Sequence, residues 1–272
     1  MTDKNRSVAL VTGASSGIGL ATAESLVKAG YRVFGTSRKP VANRPGITML
    51  ICDVADEASV QAAVAEVVQQ TGRLDLVVNN AGIGLIGGAE ESSIAQAQRL
   101  FDVNVFGVAR VANAVLPVMR KQKSGRIVNM SSILGLIPAP YNAFYASTKH
   151  ALEGYSEPLD HEVRNFGIRV VPRPTRRHQN ILRGKPDASR PTSSGLCFGT
   201  RPQRSADAQM GGDGRCPPGR RRHGGEAAMA KKPKLRYSAG KQSRQVRSLR
   251  RYLPERLVDS LLRKVNEFPA SA

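Results

Sequence analysis

The chain has 272 residues, 40% of them hydrophobic and 23% charged, and its formal net charge at pH 7 is +20. This length suits a single domain built on one large sheet. No run approaches the roughly 18 apolar residues of a membrane span, and the N-terminus lacks a secretory hydrophobic region, so we expect no transmembrane segment. Cys52, Cys197 and Cys216 show no metal-ligand spacing, which indicates a reducing cytoplasm and no metal site.

Short apolar runs alternate with helical patterns along most of the chain. Strands are predicted near residues 8–12, 31–36, 47–52, 74–79, 125–130 and 168–171. Helices are predicted at residues 20–29, 56–70 and 142–165. Strands and helices that alternate in this way favour a single-domain α/β fold with a doubly wound, mostly parallel sheet.

A glycine-rich turn joins the first predicted strand to the first helix. The apolar run Val8–Val11 is followed by Thr12-Gly13-Ala14-Ser15-Ser16-Gly17-Ile18-Gly19. Glycines let the backbone approach a pyrophosphate closely, and the N–H groups at a helix N-terminus point at the anion. The order of strand, glycine turn and helix therefore predicts a dinucleotide-binding element.

A tyrosine and a lysine lie four positions apart at Tyr145 and Lys149, and Tyr145 lies thirteen residues after Ser132. On a helix over residues 142–165 the tyrosine and the lysine share one face. A neighbouring ammonium favours phenolate, so we expect the pKa of Tyr145 to be lowered towards the range of an acid–base catalyst. Alone, this spacing is also typical of an ordinary amphipathic helix.

Two further motifs accompany these residues. Asn79-Asn80-Ala81-Gly82 follows the apolar strand Leu74–Val78, and Asp53-Val54 follows the strand Thr48–Cys52. With the glycine turn and with Asn104, Ser132, Tyr145 and Lys149, they make residues 7–171 resemble the short-chain dehydrogenase/reductase family. The resemblance implies a Rossmann fold that binds a nicotinamide dinucleotide, with Asp53-Val54 as the pair that meets the adenine ring. The cofactor-binding residues that it implies are Thr12, Gly13, Ser15, Ser16, Gly17, Ile18, Gly19, Asp53, Val54, Asn80, Ala81, Gly82, Tyr145 and Lys149.

The resemblance also implies hydride transfer between the nicotinamide and a carbonyl or secondary alcohol. Tyr145 is then the proton donor or acceptor, Ser132 hydrogen-bonds the substrate oxygen, and Lys149 lowers the tyrosine pKa and binds the nicotinamide ribose. Asn104 holds a water that links Lys149 to solvent, although taken alone it is equally an ordinary helix-surface asparagine. Ser131 competes with Ser132, but it lies fourteen residues before Tyr145 rather than thirteen.

The residues after the second predicted strand determine the choice of cofactor. The sequence Gly35-Thr36-Ser37-Arg38-Lys39 offers no carboxylate for a ribose 2′-hydroxyl, whereas Ser37 and Arg38 suit a 2′-phosphate. We therefore expect NADP(H) to be preferred over NAD(H), with Ser37 and Arg38 among the cofactor-binding residues. The alternative is that Arg38 is only a solvated loop residue.

The excess positive charge lies beyond the sixth predicted strand. Residues 1–171 carry a net charge of +3, residues 172–226 carry +8 and residues 227–272 carry +9. The middle segment holds seven prolines and nine glycines among 55 residues, so little order is expected there. The chain is divided accordingly into a Rossmann core, a low-order Arg/Pro/Gly-rich segment in place of a substrate lid, and a C-terminal part. This last part is predicted to complete the domain with a strand at Lys234–Ser238 and a helix from Pro254.

Residues 172–226 depart from the family, whereas the tail again resembles its steroid- and retinol-type members. Out-of-frame translation of GC-rich DNA yields Arg, Pro, Gly and Ser, and we hypothesise that this segment is translated in a shifted reading frame. Two different shifts are required, and resequencing the gene would decide: an undisturbed frame, matched by close relatives with the same segment, would end the hypothesis.

The sequence leaves two functions open. The first is an NADP(H)-dependent oxidoreductase acting on a small hydrophobic carbonyl or alcohol, impaired where its lid is disrupted, and a homodimer or homotetramer as family members often are. The second is a non-catalytic Rossmann scaffold whose basic segment binds nucleic acid or an anionic membrane. Nucleic acid is disfavoured because Phe198 is the only aromatic residue of that segment available for base stacking.

Overall fold

The computed structural model of the protein describes residues 6–175, residues 181–183 and Leu257. Its strands are β1 (Val8–Val11), β2 (Arg32–Ser37), β3 (Ile47–Ile51), β4 (Leu76–Asn79), β5 (Gly84–Ile86), β6 (Gly125–Ser132), β7 (Ile168–Thr175) and β8 (Ile181–Arg183). Its helices are α1 (Gly17–Lys28), α2 (Glu57–Thr71), α3 (Ile94–Phe101), α4 (Gly107–Gln122) and α5 (Ala143–Val163). The predicted strand at Lys234–Ser238 lies outside the described residues, as does the helix from Pro254 apart from Leu257, which is helical.

Six of the strands form one parallel sheet in the order β3-β2-β1-β4-β6-β7. The chain builds outward from β1 to β3 and then returns to place β4 on the other side of β1. This reversal is the point at which open α/β sheets bind ligands, beyond the carboxyl ends of the strands. The predicted doubly wound Rossmann fold is therefore confirmed.

The central strands are apolar on both faces because helices cover both faces of the sheet. Val8 and Leu10 of β1 belong to one buried cluster, whereas Ala9 and Val11 belong to the other. Alternate residues of a strand point to opposite faces, so a strand buried on both sides is a continuous apolar run. This is the pattern that made these strands predictable.

Buried polar side chains attach α5 to the sheet. Asn79 Nδ2 donates to Asn129 Oδ1 at 2.9 Å, and Asn129 Nδ2 donates to Ser156 Oγ at 2.9 Å. These bonds join β4, β6 and α5 in series. Near the end of α5, Asp160 Oδ1 accepts from the N–H of Val170 at 2.8 Å. The helix that carries Tyr145 and Lys149 is thus fixed to three strands.

Strand β7 extends four residues beyond its predicted end at Val171 and crosses the predicted boundary between residues 171 and 172. It stays in register with β6, from Gly125 opposite Ile168 to Ser132 opposite Thr175. Two prolines are tolerated because β7 pairs only with β6 among the described residues, and prolines two apart direct their missing donors to the same, unpaired side. The short strand β8 also falls within the segment predicted to have little order, and it pairs in parallel with β5.

One helical stretch of the described chain, Ile94–Gln122, is long and apolar enough to cross a membrane by length and composition. The sequence analysis did not identify it. The stretch comprises α3, a π-helical turn at Asp102–Phe106, and α4. Half of its most apolar 18-residue segment is buried inside the protein, and Val111 and Val115 pack in the core. Because buried core helices also pass this test, it is weak evidence for a membrane span.

Candidate active site

A cleft of about 650 Å³ opens where β1, β2, β3 and β4 end. It therefore lies at the reversal of strand order. The predicted cofactor residues that line it are Gly13, Ser15, Ser16, Gly17, Ile18, Gly19, Ser37, Arg38, Asp53, Val54, Asn80, Ala81 and Gly82. Its lining also includes Lys39, Val41, Cys52, Ile83 and Val103, which the sequence analysis did not assign. Thr12, Tyr145 and Lys149 are the predicted cofactor residues that do not line it.

The backbone of the glycine turn leaves no room for a side chain at Gly19 and adopts a conformation at Gly13 that favours glycine. A Cβ on Gly19 would lie 2.2 Å from the carbonyl oxygen of Gly13 and 2.4 Å from Asn80 Nδ2. Gly13 itself has a φ of +65°, which L side chains rarely adopt. The backbone is consequently bare where α1 begins, and these residues fit a pyrophosphate group.

Two of the predicted motifs hold each other in place. Thr12 Oγ1 accepts hydrogen bonds from the N–H groups of Asn80 and Ala81, both at 3.0 Å. In return, Asn80 Nδ2 donates to the carbonyl oxygens of Thr12 and Gly13, both at 3.0 Å. Thr12 and Asn80 therefore join the ends of β1 and β4 and shape the cleft between them.

The wall of the cleft at Asp53 and Val54 is ordered by local hydrogen bonds. Asp53 Oδ1 accepts from the N–H of Ala55 at 3.0 Å, and the N–H of Asp53 donates to Ser59 Oγ at 3.0 Å. Burial, with a contribution from the charge of Asp53, raises the pKa of the neighbouring Cys52 thiol to about 11. Cys52 is therefore a neutral thiol at physiological pH.

The predicted acid–base pair is formed between β6 and α5. Ser132 ends β6, Tyr145 lies in the first turn of α5, and the Ser132 hydroxyl is near enough to the phenol to affect its pKa. Both residues are buried, with 5% and 6% of their surfaces exposed. Ser132 Oγ also accepts from the N–H of Leu134 at 3.3 Å. The structure thus pairs Tyr145 with the serine that the spacing favoured over Ser131.

The pKa of Tyr145 shifts in the direction opposite to the one expected from the sequence. Burial raises this pKa, and the Ser132 hydroxyl only partly opposes the rise. The expectation of a pKa lowered overall is therefore wrong, because the loss of hydration outweighs the effects that favour the phenolate. Lys149 Nζ lies over the tyrosine ring, 5.7 Å from its centre.

Lys149 is almost completely buried, with 2% of its surface exposed. Its Nζ donates to the carbonyl oxygen of Met130 at 3.0 Å. Burial lowers the pKa of Lys149 to about 8, and the charge of Glu153, one helical turn further on, opposes that shift. The amine therefore changes its charge near physiological pH.

Asn104 is buried in the π-helical turn, and its side chain holds protein groups. Its Oδ1 accepts from the N–H of Ile83 at 2.9 Å, and its Nδ2 donates to the carbonyl oxygen of Ile83 at 2.9 Å and to Thr148 Oγ1 at 3.2 Å. Thr148 Oγ1 in turn donates to the carbonyl oxygen of Tyr145 at 2.8 Å. Asn104 thus joins the cleft residue Ile83 to the helix that carries Tyr145. Its predicted role in holding a water stays a prediction.

Besides the unassigned residues of the cleft lining, sequence reasoning missed two residues that contact the site. Thr148 lies between Tyr145 and Lys149 on α5, and its place three residues after the tyrosine, on the same helix face, was the available signal. Arg44 donates from Nη2 to the carbonyl oxygen of Ser15 at 3.3 Å. It adds a cation beside the glycine turn, and no local pattern marked it because the contact spans 29 positions.

Comparisons with known proteins agree with this site. The family model described as short chain dehydrogenase matches residues 7–172. The uncharacterized oxidoreductase YbbO of Escherichia coli K12 is 34% identical over 93% of this chain and 93% of its own length. A 3-ketodihydrosphingosine reductase of Bacteroides thetaiotaomicron is 45% identical over 60% of this chain, a match that spans 61% of that reductase. The crystal structure of a short-chain dehydrogenase from Streptomyces avermitilis has a TM-score of 0.72 at 29% identity, over 96% of each chain.

A Rossmann sheet with a glycine turn and a Ser–Tyr–Lys group at one edge defines the class of oxidoreductases that use a nicotinamide dinucleotide. The matches to the family model and to YbbO then place the protein within that class. The chain belongs to the short chain dehydrogenase family.

We expect the substitution Gly19→Ala to disrupt the cleft. The added methyl group would press on Gly13 and Asn80, so the free energy of unfolding should fall by about 1–3 kcal/mol, and the thermal shift produced by a nicotinamide dinucleotide should be lost. Denaturant unfolding and thermal-shift assays measure these effects. The matched control is Gly154→Ala on α5, where nothing lies within 4 Å of an added Cβ; it should stabilise the protein by about 0.5–1 kcal/mol. Wild-type dinucleotide binding by Gly19→Ala would contradict this account of the turn.

Proposed function

We propose that the protein is an NADP(H)-dependent oxidoreductase that interconverts a hydrophobic carbonyl compound and its secondary alcohol, with Tyr145 as proton donor and acceptor. The observation that carries this proposal is the placement of Ser132 and Tyr145 next to each other, beside the buried Lys149. Asn104 connects this group to Ile83, which lines the dinucleotide cleft. An acid–base group and a cofactor cleft thus adjoin each other.

A reduced nicotinamide dinucleotide held in the cleft would supply a hydride to the carbonyl carbon and so leave negative charge on the carbonyl oxygen. Tyr145 gives its phenolic proton to that oxygen, so that an alcohol and a tyrosine phenolate result. Ser132 donates a hydrogen bond to the same oxygen and holds it in line with the phenol. In the reverse direction, the phenolate of Tyr145 takes the proton of the alcohol.

The direction of the Tyr145 pKa shift suits the reductive direction. Burial keeps the phenol protonated at neutral pH, so the proton is present when the oxygen becomes negative. The phenolate left behind requires a positive charge nearby. The ammonium of Lys149 is placed to supply it from across the ring, at 5.7 Å from the ring centre. Lys149 is proposed to bind the nicotinamide ribose as well.

The surroundings of Tyr145 support a hydrophobic substrate. Tyr145 forms a buried cluster with Leu85 and Leu100, against which Ile83, Leu134 and Phe144 pack. A polar substrate would lose its hydration against these side chains without gaining partners. A relative of this chain is named as a reductase of 3-ketodihydrosphingosine, which is consistent with a ketone substrate.

The preference for NADP(H) is supported by the residues that follow β2. Ser37, Arg38 and Lys39 line the cleft, and Arg38 is exposed to solvent. A guanidinium and a hydroxyl there suit a doubly charged 2′-phosphate, and Arg44 adds positive charge beside Ser15.

We expect NADPH to raise the melting temperature more than NADH does at equal concentration, because tighter binding to the folded state stabilises it more. The substitution Arg38→Ala should reduce the NADPH shift to that of NADH without changing the NADH shift. The matched control, Arg99→Ala on the exposed face of α3, should keep the wild-type difference. Thermal-shift titrations with both nucleotides measure this, and equal shifts in the wild-type protein would contradict the preference.

We expect Tyr145→Phe to lower the rate of carbonyl reduction by at least about 100-fold, because the proton donor is lost. Binding of NADPH should stay close to that of the wild type. Reduction of hydrophobic ketones, followed through NADPH absorbance, measures the rate, and calorimetry measures the binding. Tyr155→Phe on the same helix removes a hydroxyl from a side chain that packs against the core and should leave turnover intact. Unchanged turnover in Tyr145→Phe would exclude this tyrosine as the donor.

We expect carbonyl reduction to fall as the pH rises through about 8. The pKa of Lys149 is lowered by burial to about 8, so the amine is charged below this pH and neutral above it. A neutral amine no longer stabilises the phenolate, and proton donation by Tyr145 becomes less favourable. The pH profile of kcat/KM for NADPH reports this ionisation in the free enzyme. In Lys149→Arg the guanidinium stays charged, so any remaining activity should no longer fall above about pH 8. If the fall persists in this variant, another group causes it.

A further inference from the structure

Arg110 of α4 binds oxygen atoms from two different parts of the site. Its Nη2 pairs with Asp102 Oδ1 at 2.7 Å, and its Nη1 donates to the carbonyl oxygens of Val54 at 3.3 Å and of Asp102 at 3.4 Å. The Arg110 side chain is 25% exposed, so these bonds are partly shielded from water. A planar guanidinium can hold several oxygens at once in a fixed geometry, which a lysine cannot do.

The first of these parts is the wall of the cleft at Asp53 and Val54. Helix α4 packs directly against this wall at Gly107, one turn before Arg110. A Cβ on Gly107 would lie 2.9 Å from Val54 Cγ2 and 3.1 Å from Val54 O. The wall therefore packs against the start of α4, and Arg110 donates a hydrogen bond to the carbonyl oxygen of Val54. This is the wall that the family resemblance implies to contact the adenine ring.

The second part is the π-helical turn Asp102–Phe106, which carries Asn104. Arg110 binds both the side chain and the carbonyl oxygen of Asp102, the first residue of the turn. Val103 of the same turn lines the cleft. Through Asn104 the turn holds Ile83 and, by way of Thr148, the backbone of Tyr145. One guanidinium thus connects the predicted adenine wall to the turn that supports the acid–base group.

We infer that Arg110 is a positioning residue that holds the adenine wall of the cleft and the turn carrying Asn104 in one fixed relation. The inference rests on the proposed function, because it concerns how a bound dinucleotide is aligned with Tyr145. Arg110 is not among the residues that line the cleft and acts through Val54 and Asp102. Its loss should therefore both weaken binding of the adenine half and slow turnover of the bound cofactor.

The test uses the full chain and a ligand that contains only one half of the cofactor. ADP-ribose carries the adenine half without the nicotinamide. Arg110→Ala should raise the Kd of ADP-ribose about three- to tenfold, since a charge-assisted hydrogen bond to the wall is lost. It should lower kcat at saturating NADPH by a similar factor. Calorimetry and steady-state kinetics, both well below the melting temperature, measure these effects.

Two further variants separate positioning from general stability. In Arg110→Lys the ammonium can keep the ion pair with Asp102, but its three donors all lie on one nitrogen, so it does not also span to Val54 O as the planar guanidinium does. This variant should recover kcat to within about twofold while the Kd of ADP-ribose stays raised. Arg120→Ala removes a cation from the same helix, where the guanidinium lies over the ring of Phe166, 5.8 Å from its centre. It should behave as the wild type in both measurements.

The outcomes are distinguishable. A lower melting temperature in Arg110→Ala, with wild-type Kd for ADP-ribose and wild-type kcat, would show a merely structural role and overturn the inference while leaving the proposed function intact. A wild-type chain that binds neither NADPH nor ADP-ribose would overturn the proposed function, and the inference would fall with it.

Discussion

The seating of α5 on the sheet is the constraint on which the site depends, because this helix buries polar groups that need partners inside the protein. Ser156 accepts from Asn129 of β6, Asp160 accepts from the backbone of β7, and Lys149 donates to the carbonyl oxygen of Met130. An unpaired buried polar group is destabilising by about 1–3 kcal/mol. The observed rotation of the helix satisfies all of these groups at once. That rotation brings the hydroxyl of Tyr145 to Ser132.

The same burial that fixes α5 gives the site its electrostatic character. Water is excluded from both ionisable members, so each is shifted towards its neutral form: the pKa of Tyr145 rises and that of Lys149 falls. At neutral pH the phenol is therefore protonated, whereas the amine of Lys149, with a pKa of about 8, lies close to its change of charge. Charge that develops on a substrate oxygen would be felt strongly here, because little solvent screens it.

The fold and the cleft were largely predictable from the sequence, because both are determined by short local patterns of residues. Each strand of the sheet was predicted from an apolar run, and the glycine turn was predicted from its position between a strand and a helix. The sign of the Tyr145 pKa shift was not predictable, since spacing along a helix shows that Lys149 is near but not that water is absent. The partners of Asn104 and Arg110 were also hidden, because they lie on distant segments. Strand β7 was predicted too short because its prolines usually mark the end of a strand.

The outward side of β7 has a consequence for the solution behaviour of the protein. Exposed strand edges act as templates on which a second molecule can add its own strand, and such pairing leads to aggregation. Along β7, the outward N–H of Val170 is already bound by Asp160, and Pro172 and Pro174 have none to give. A foreign strand would find three successive outward positions without a donor. In the part of the chain that the structure describes, the border from Val170 to Pro174 therefore offers an added strand only carbonyl acceptors, which disfavours growth of the sheet there.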